Sequence, residues 1–151
     1  MSTLYAEDFE PGDQFEFGSH TVTEDEIIAF ARRYDPQPFH VDPDSAENSL
    51  FGELVASGWH VVSLTNRMVT EAVYGRMALL GGYGSDEVRF LKPTRPGDTL
   101  SGVIEVVDVA ESTDNAGSRD VSFGVTTYNQ EHETVLTMVN HAILGSRDEQ
   151  D

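Results

Sequence analysis

The sequence predicts an α+β fold in which an antiparallel sheet wraps around one long helix. Two patterns carry this expectation. From Ser57 to about Tyr74 the chain is largely apolar except for a stripe of Ser63, Asn66, Arg67, Thr70 and Glu71. A helix with so narrow a polar stripe is mostly buried. Beyond Gly84 the chain reads as strands, most clearly at 100–109, where Val103, Glu105, Val107 and Val109 alternate with Gly102, Ile104, Val106 and Asp108. No repeat or linker divides the 151 residues. A single domain is therefore expected over 1–151, with an ordered core at about 10–145 and a charged, frayed C-terminal tail.

The elements follow from local signals. Glu10-Pro11-Gly12-Asp13 marks a turn before a first strand at 14–22, with Phe15 and Phe17 on one face. Thr23-Glu24-Asp25-Glu26 has capping-box spacing and opens a short amphipathic helix ending near Arg33. Asp42 can cap a small helix with Pro43 at its first position. Ser57 is a suitable N-cap for the long helix, which is expected to stop near Tyr74-Gly75 or before Gly81-Gly82. Strands are expected at 87–91, 100–109, 119–130 and 134–144, separated by the 93–98 bend, a polar turn at 112–118 and Glu131-His132-Glu133. One helix cannot cover both faces of such a sheet, and open strand edges invite pairing. A homodimer or higher even oligomer is expected.

Composition narrows the function classes. The chain has no cysteine, which removes disulfides and thiolate metal sites. Its N-terminus lacks the pattern of a signal peptide and no run reaches transmembrane length, so a soluble cytoplasmic protein is expected. The formal charge is −18, from 27 acidic against 9 basic residues, and Lys92 is the single lysine. Such a surface disfavours nucleic acid and anionic membrane as partners. With scarce lysine, it suggests a halophilic protein whose self-repulsion is screened by salt.

One segment concentrates the chemistry: Tyr34-Asp35-Pro36-Gln37-Pro38-Phe39-His40-Val41-Asp42-Pro43. Each proline fixes its own φ and biases the residue before it away from the helical region. The stretch from Asp35 to His40 is therefore expected to be a stiff loop rather than a turn of helix. Asp35 follows the 23–33 helix, where a carboxylate meets the negative end of the helix dipole. That local cost makes sense if the carboxylate is needed for chemistry, although a solvated loop acid and a packed histidine fit the same spacing.

The order of parts resembles the MaoC-like hydratases. The resemblance spans about residues 10–145, and its specific part is the Asp-x-x-Pro-x-His spacing of Asp35 and His40, Ser45-Ala46, and Val55-Ala56-Ser57-Gly58 before the long helix. It implies a hot-dog fold and an (R)-specific enoyl-CoA hydratase or 3-hydroxyacyl-CoA dehydratase, a hydro-lyase with no cofactor and no metal. Three positions depart from the family's habit. Gln37 stands where Asn is usual, Phe39 where an aliphatic is usual, and Ser57 where histidine is frequent, with His60 two residues past Gly58.

On that resemblance Asp35 is the base, His40 its acid partner, and the Gly58 amide a donor to the thioester oxygen. Ser57 is expected to bind substrate, and Arg89, Lys92 and Arg95 are the cations available for the coenzyme A phosphates. His20, His60, His132 and His141 are assigned to structure or surface. Two alternatives stay open: a hot-dog acyl-CoA thioesterase, for which the long helix offers only Glu71 as its acid, and a non-catalytic acyl-CoA-binding module.

Overall fold

The computed structural model describes residues 2–112 and 117–147. Its elements run β1 (Gln14–Thr21), α1 (Glu24–Tyr34), α2 (Pro38–Val41), α3 (Pro43–Ala46), α4 (Gly58–Ala72), β2 (Leu79–Phe90), β3 (Thr99–Glu111), β4 (Ser118–Tyr128) and β5 (Thr134–Gly145). The five strands form one antiparallel sheet in the order β1-β3-β4-β5-β2. This is the α+β, hot-dog arrangement expected from the sequence. Residues 113–116 of the expected polar turn and 148–151 of the expected tail lie outside the described residues.

The core lies between α4 and one face of the sheet. Alternation along β4 turns Val121, Phe123, Val125 and Thr127 inward, while β3 contributes Leu100, Ile104 and Val106. From the helix come Val61, Thr65, Met68 and Val69 at the spacing of one helical face. Burying side chains of this size stabilises by about 1.5–3 kcal/mol each before entropy is counted. The polar stripe faces outward as expected, with Ser63, Asn66, Arg67, Thr70 and Glu71 all exposed.

The capping box of α1 forms: Glu26 N–H donates to Thr23 Oγ1, and Thr23 N–H donates to Glu26 Oε1 at 2.7 Å. Asp42 caps α3 by accepting from the Asp44 amide.

Three expectations need correction. Residues 38–41 form a turn of helix, not a stiff loop, with the Asp42 amide donating to the Pro38 carbonyl at 3.0 Å. Pro38 sits at the first helical position, where it lacks only a donor that would have had no acceptor. The restriction holds for both residues that precede a proline: Asp35 (φ −155°, ψ 68°) and Gln37 (φ −71°, ψ 143°) lie outside the helical region.

Strand β2 starts at Leu79, not near Glu87. Gly81, Gly82 and Gly84 read as stop signals, yet their backbones pair with β5 through repeated register shifts. An exposed, bulged edge strand carries no burial alternation for a sequence reading to find.

The tail is tied down as far as Arg147. Ser146 Oγ donates to Glu7 Oε1 at 2.7 Å, and Arg147 pairs with Asp8. The ordered core also extends upstream of residue 10, since Ala6 and Phe9 are buried.

One polar contact pins the helix to the sheet. The hydroxyls of Thr65 and Thr127 meet at 2.8 Å with neither residue exposed. Replacing Thr65 by Val strands the Thr127 hydroxyl in the core. The expected loss is about 1–3 kcal/mol in urea unfolding, and the Thr65→Val/Thr127→Val double variant should recover most of it. A double variant less stable than the single would contradict this account.

Candidate active site

Three elements converge at one end of α4. Helix α1 runs out at Tyr34, and Asp35 is its C-cap, its amide donating to the Ala31 carbonyl at 2.8 Å. The one-turn helix α2 then carries His40 inward, and the chain returns along Val55-Ala56 to begin α4. The backbone of the 91–94 segment closes the far side, with the Ala56 amide donating to the Thr94 carbonyl at 2.8 Å.

His40 is buried, and its Nδ1–H donates to the Val55 carbonyl at 2.6 Å. A carbonyl only accepts, so Nδ1 must hold a proton and Nε2 is the functional nitrogen. That nitrogen stands 3.5 Å from Asp35 Oδ2. The distance exceeds that of a good direct hydrogen bond and leaves the pair open to a small hydroxylic molecule.

Ser57 holds the acid in place. It is fully buried; its Oγ donates to Asp35 Oδ2 at 2.7 Å and accepts from the Trp59 amide, capping α4. Gly58 follows as the first residue of α4. A Cβ there would lie 2.5 Å from the Phe90 ring, so only glycine lets that ring close over the helix start.

Asp35, His40 and Gly58 line one cavity of about 430 Å³. Its other walls are mainly apolar and aromatic, including Phe39, Phe51, Val55, Trp59, Val61 and Phe90. Four pieces of chain far apart in sequence thus enclose an acid–base pair beside a helix N-terminus.

The family described as the MaoC like domain matches residues 8–129. The chain belongs to the MaoC-like family. Among solved structures it is similar to a MaoC-like dehydratase from Rhodospirillum rubrum, 36% identical over 95% of this chain and 98% of that one, with a TM-score of 0.88. A monoamine oxidase regulatory protein from Archaeoglobus fulgidus is 30% identical over 97% of both chains, with a TM-score of 0.89. The fold extends to the (R)-hydratase PhaJ1 from Pseudomonas aeruginosa, with a TM-score of 0.75 over 95% of this chain and 86% of that one at 22% identity.

The other site expectations for this MaoC-like domain separate. Ser57, expected to bind substrate, is fully buried, and its hydroxyl donates to Asp35 Oδ2 and accepts from the Trp59 amide. Lys92 reaches the cavity rim, where it pairs with Glu133. Arg95 flanks the same bend, its Nε 3.2 Å from Glu53 Oε1. Arg89 does not join them: it lines a separate cavity with Gln14, Glu87 and Glu105. Strand parity separates Arg89 from Lys92, whereas Lys92 and Arg95 line one surface pocket at the bend.

Cavity residues that sequence reasoning missed are Phe51, Trp59, Phe90 and Thr94. The signal the sequence offered was Trp59, a large aromatic in the first turn of α4, directly after Gly58.

His60 turns away from the cavity. Its ring stacks on Phe30 with centroids 4.7 Å apart, and burial pushes its pKa below the ordinary histidine value, against the opposing pull of Glu26. A depressed folded-state pKa makes protonation favour the unfolded chain. The contribution of His60 to stability is therefore whole above pH 6.5 and lost as pH falls below it. Thermal melts from pH 8 to about 5 should show part of the acid-side loss disappearing in His60→Leu. Parallel pH profiles for the two proteins would contradict the buried neutral ring.

Proposed function

We propose that this MaoC-like domain is a hydro-lyase that adds water across the double bond of a trans-2-enoyl-CoA, or removes it from the (R)-3-hydroxyacyl-CoA. The observation that carries this reading is the 3.5 Å approach of Asp35 Oδ2 and His40 Nε2 inside an apolar cavity at the start of α4. The similarity to a solved MaoC-like dehydratase supports it.

The pair can run a closed proton cycle. Asp35 takes a proton from water as the oxygen attacks C3, and the imidazolium of His40 gives its Nε2 proton to C2. Charge developing on the thioester oxygen is met by the Gly58 amide, which as the first of a helix has no intrahelical acceptor. The turnover leaves a protonated Asp35 beside a neutral His40, and the proton returns to Nε2 across the short gap. Water supplies both the hydroxyl and, over the cycle, the hydrogen. The protein's part in this cycle falls to Asp35, His40 and the Gly58 amide.

The coenzyme A phosphates would meet Lys92 and Arg95 at the rim, displacing Glu133 and Glu53 from them. The thioesterase alternative finds less support. Glu71, the acid that α4 offers, is exposed and paired with Arg67 at 2.9 Å.

Asp35→Asn keeps the shape of the side chain and its contact with Ser57 but cannot accept the proton. Hydration of crotonyl-CoA, followed by loss of the conjugated absorbance, should fall by about 10²–10⁴-fold with the fold retained. His40→Ala should lose a similar factor, and the double variant far less than the product, because both act on one water. Near-normal turnover in folded Asp35→Asn would end this mechanism, while release of free CoA by wild type would favour the thioesterase.

We also infer a homodimer joined through β2. That strand is a sheet edge with Leu79 and Leu80 exposed. Helix α4 packs towards β1 and β3, leaving a cavity of about 470 Å³ between α4 and the glycine run of β2. Light scattering in molar KCl should give twice the chain mass, and Leu80→Asp should shift it towards monomer. A monomeric wild type at micromolar concentration would remove the inference.

A further inference from the structure

Thr94 presents a problem that the mechanism leaves unsolved. It is 2% exposed and lines the catalytic cavity, yet its Oγ1 has no hydrogen-bond partner among the described residues. A buried hydroxyl without a partner destabilises the fold, and valine has nearly the same shape without that cost. The hydroxyl is also held in place. The Thr94 carbonyl accepts from Ala56, and the bend that follows is clamped by the Arg95 amide donating to Asp98 Oδ2 at 2.9 Å. Gln130 Nε2 donates to the other Asp98 oxygen at 3.0 Å. A β-branched side chain on so constrained a backbone has little rotational freedom.

We propose that the missing partner is the substrate: Thr94 Oγ1 hydrogen-bonds a carbonyl or carboxylate oxygen of the bound acyl thioester and sets specificity in this cavity. The assignment rests on the acyl-CoA reading above and deepens it. Around Thr94 the walls are mainly apolar, so a purely aliphatic group placed against it would leave the hydroxyl unpaired in the complex as well. The oxygen can come from two places on such a ligand. One is the thioester–pantetheine arm that every acyl-CoA carries, and the other is a polar substituent on the acyl chain. A site built to pair with a polar atom discriminates sharply against a ligand that lacks it.

The test compares wild type, Thr94→Val and Thr94→Ser on crotonyl-CoA and on the CoA monothioester of fumarate, with thermal melts of each protein. Thr94→Val should melt no lower than wild type, because an orphaned hydroxyl has been removed. It should lose about tenfold in kcat/KM, mostly through KM, and Thr94→Ser should restore most of it. Equal loss on both substrates assigns the thioester–pantetheine arm, and loss on the fumaryl substrate alone assigns a chain carboxylate. Unchanged kcat/KM on both overturns the proposal, as does a loss shared by Val and Ser with a lowered melting temperature.

If wild type hydrates neither substrate, the hydratase reading has failed by itself. Thr94 is then judged by the thermal upshift that butyryl-CoA and succinyl-CoA produce. An upshift reduced in Thr94→Val and restored in Thr94→Ser sustains the proposal. Equal upshifts, or none in wild type, overturn it.

Discussion

The hydrogen bond from Ser57 to Asp35 is the contact on which the site depends. It joins the end of α1 to the beginning of α4, two helix termini that share no sequence neighbourhood. One hydroxyl does two jobs there, capping the long helix and fixing the carboxylate oxygen that faces His40. An anion at a helix C-terminus is disfavoured by the α1 dipole, but the same carboxylate lies close to the N-terminus of α4, where the dipole has the opposite sign. The fold thus offsets at α4 what it costs at α1.

The rest of the scaffold keeps that junction in place. Burial of α4 against one face of the sheet sets where its N-terminus lies, and the Thr65–Thr127 contact pins its middle. The Ala56–Thr94 backbone bond draws the bend after β2 against the same terminus, so the cavity is closed by a strand end, not by a mobile loop. Phe90 then covers Gly58 at a distance that no side chain would allow. The apolar walls lower the local dielectric, which strengthens the interaction between the Asp35 carboxylate and the His40 imidazole.

Charge divides between site and surface. The net charge of −18 is spread over a surface that carries few cations, and those near the cavity are already paired with Glu133 and Glu53. An anionic ligand must therefore displace protein carboxylates, an exchange that depends on ionic strength.

Sequence alone determined the parts whose causes are local. The capping box of α1, the Asp42 cap, the Ser57 cap, the polar stripe of α4, the alternation of β3 and the approximate spans of β4 and β5 were all legible, because each reflects a period or a spacing of a few residues. Asp35, His40 and Gly58 were legible through their motif, and the structure brings them to one cavity. What only tertiary structure decided is non-local. The glycine-rich start of β2 becomes strand because β5 supplies hydrogen bonds from some sixty residues away. Pro38 starts a helical turn because the chain must bring His40 back under Val55. Arg89 and Lys92 part company because strand parity meets a bend. Ser57 serves the acid, and Thr94 lines the cavity, through contacts with chain segments that no local pattern encodes.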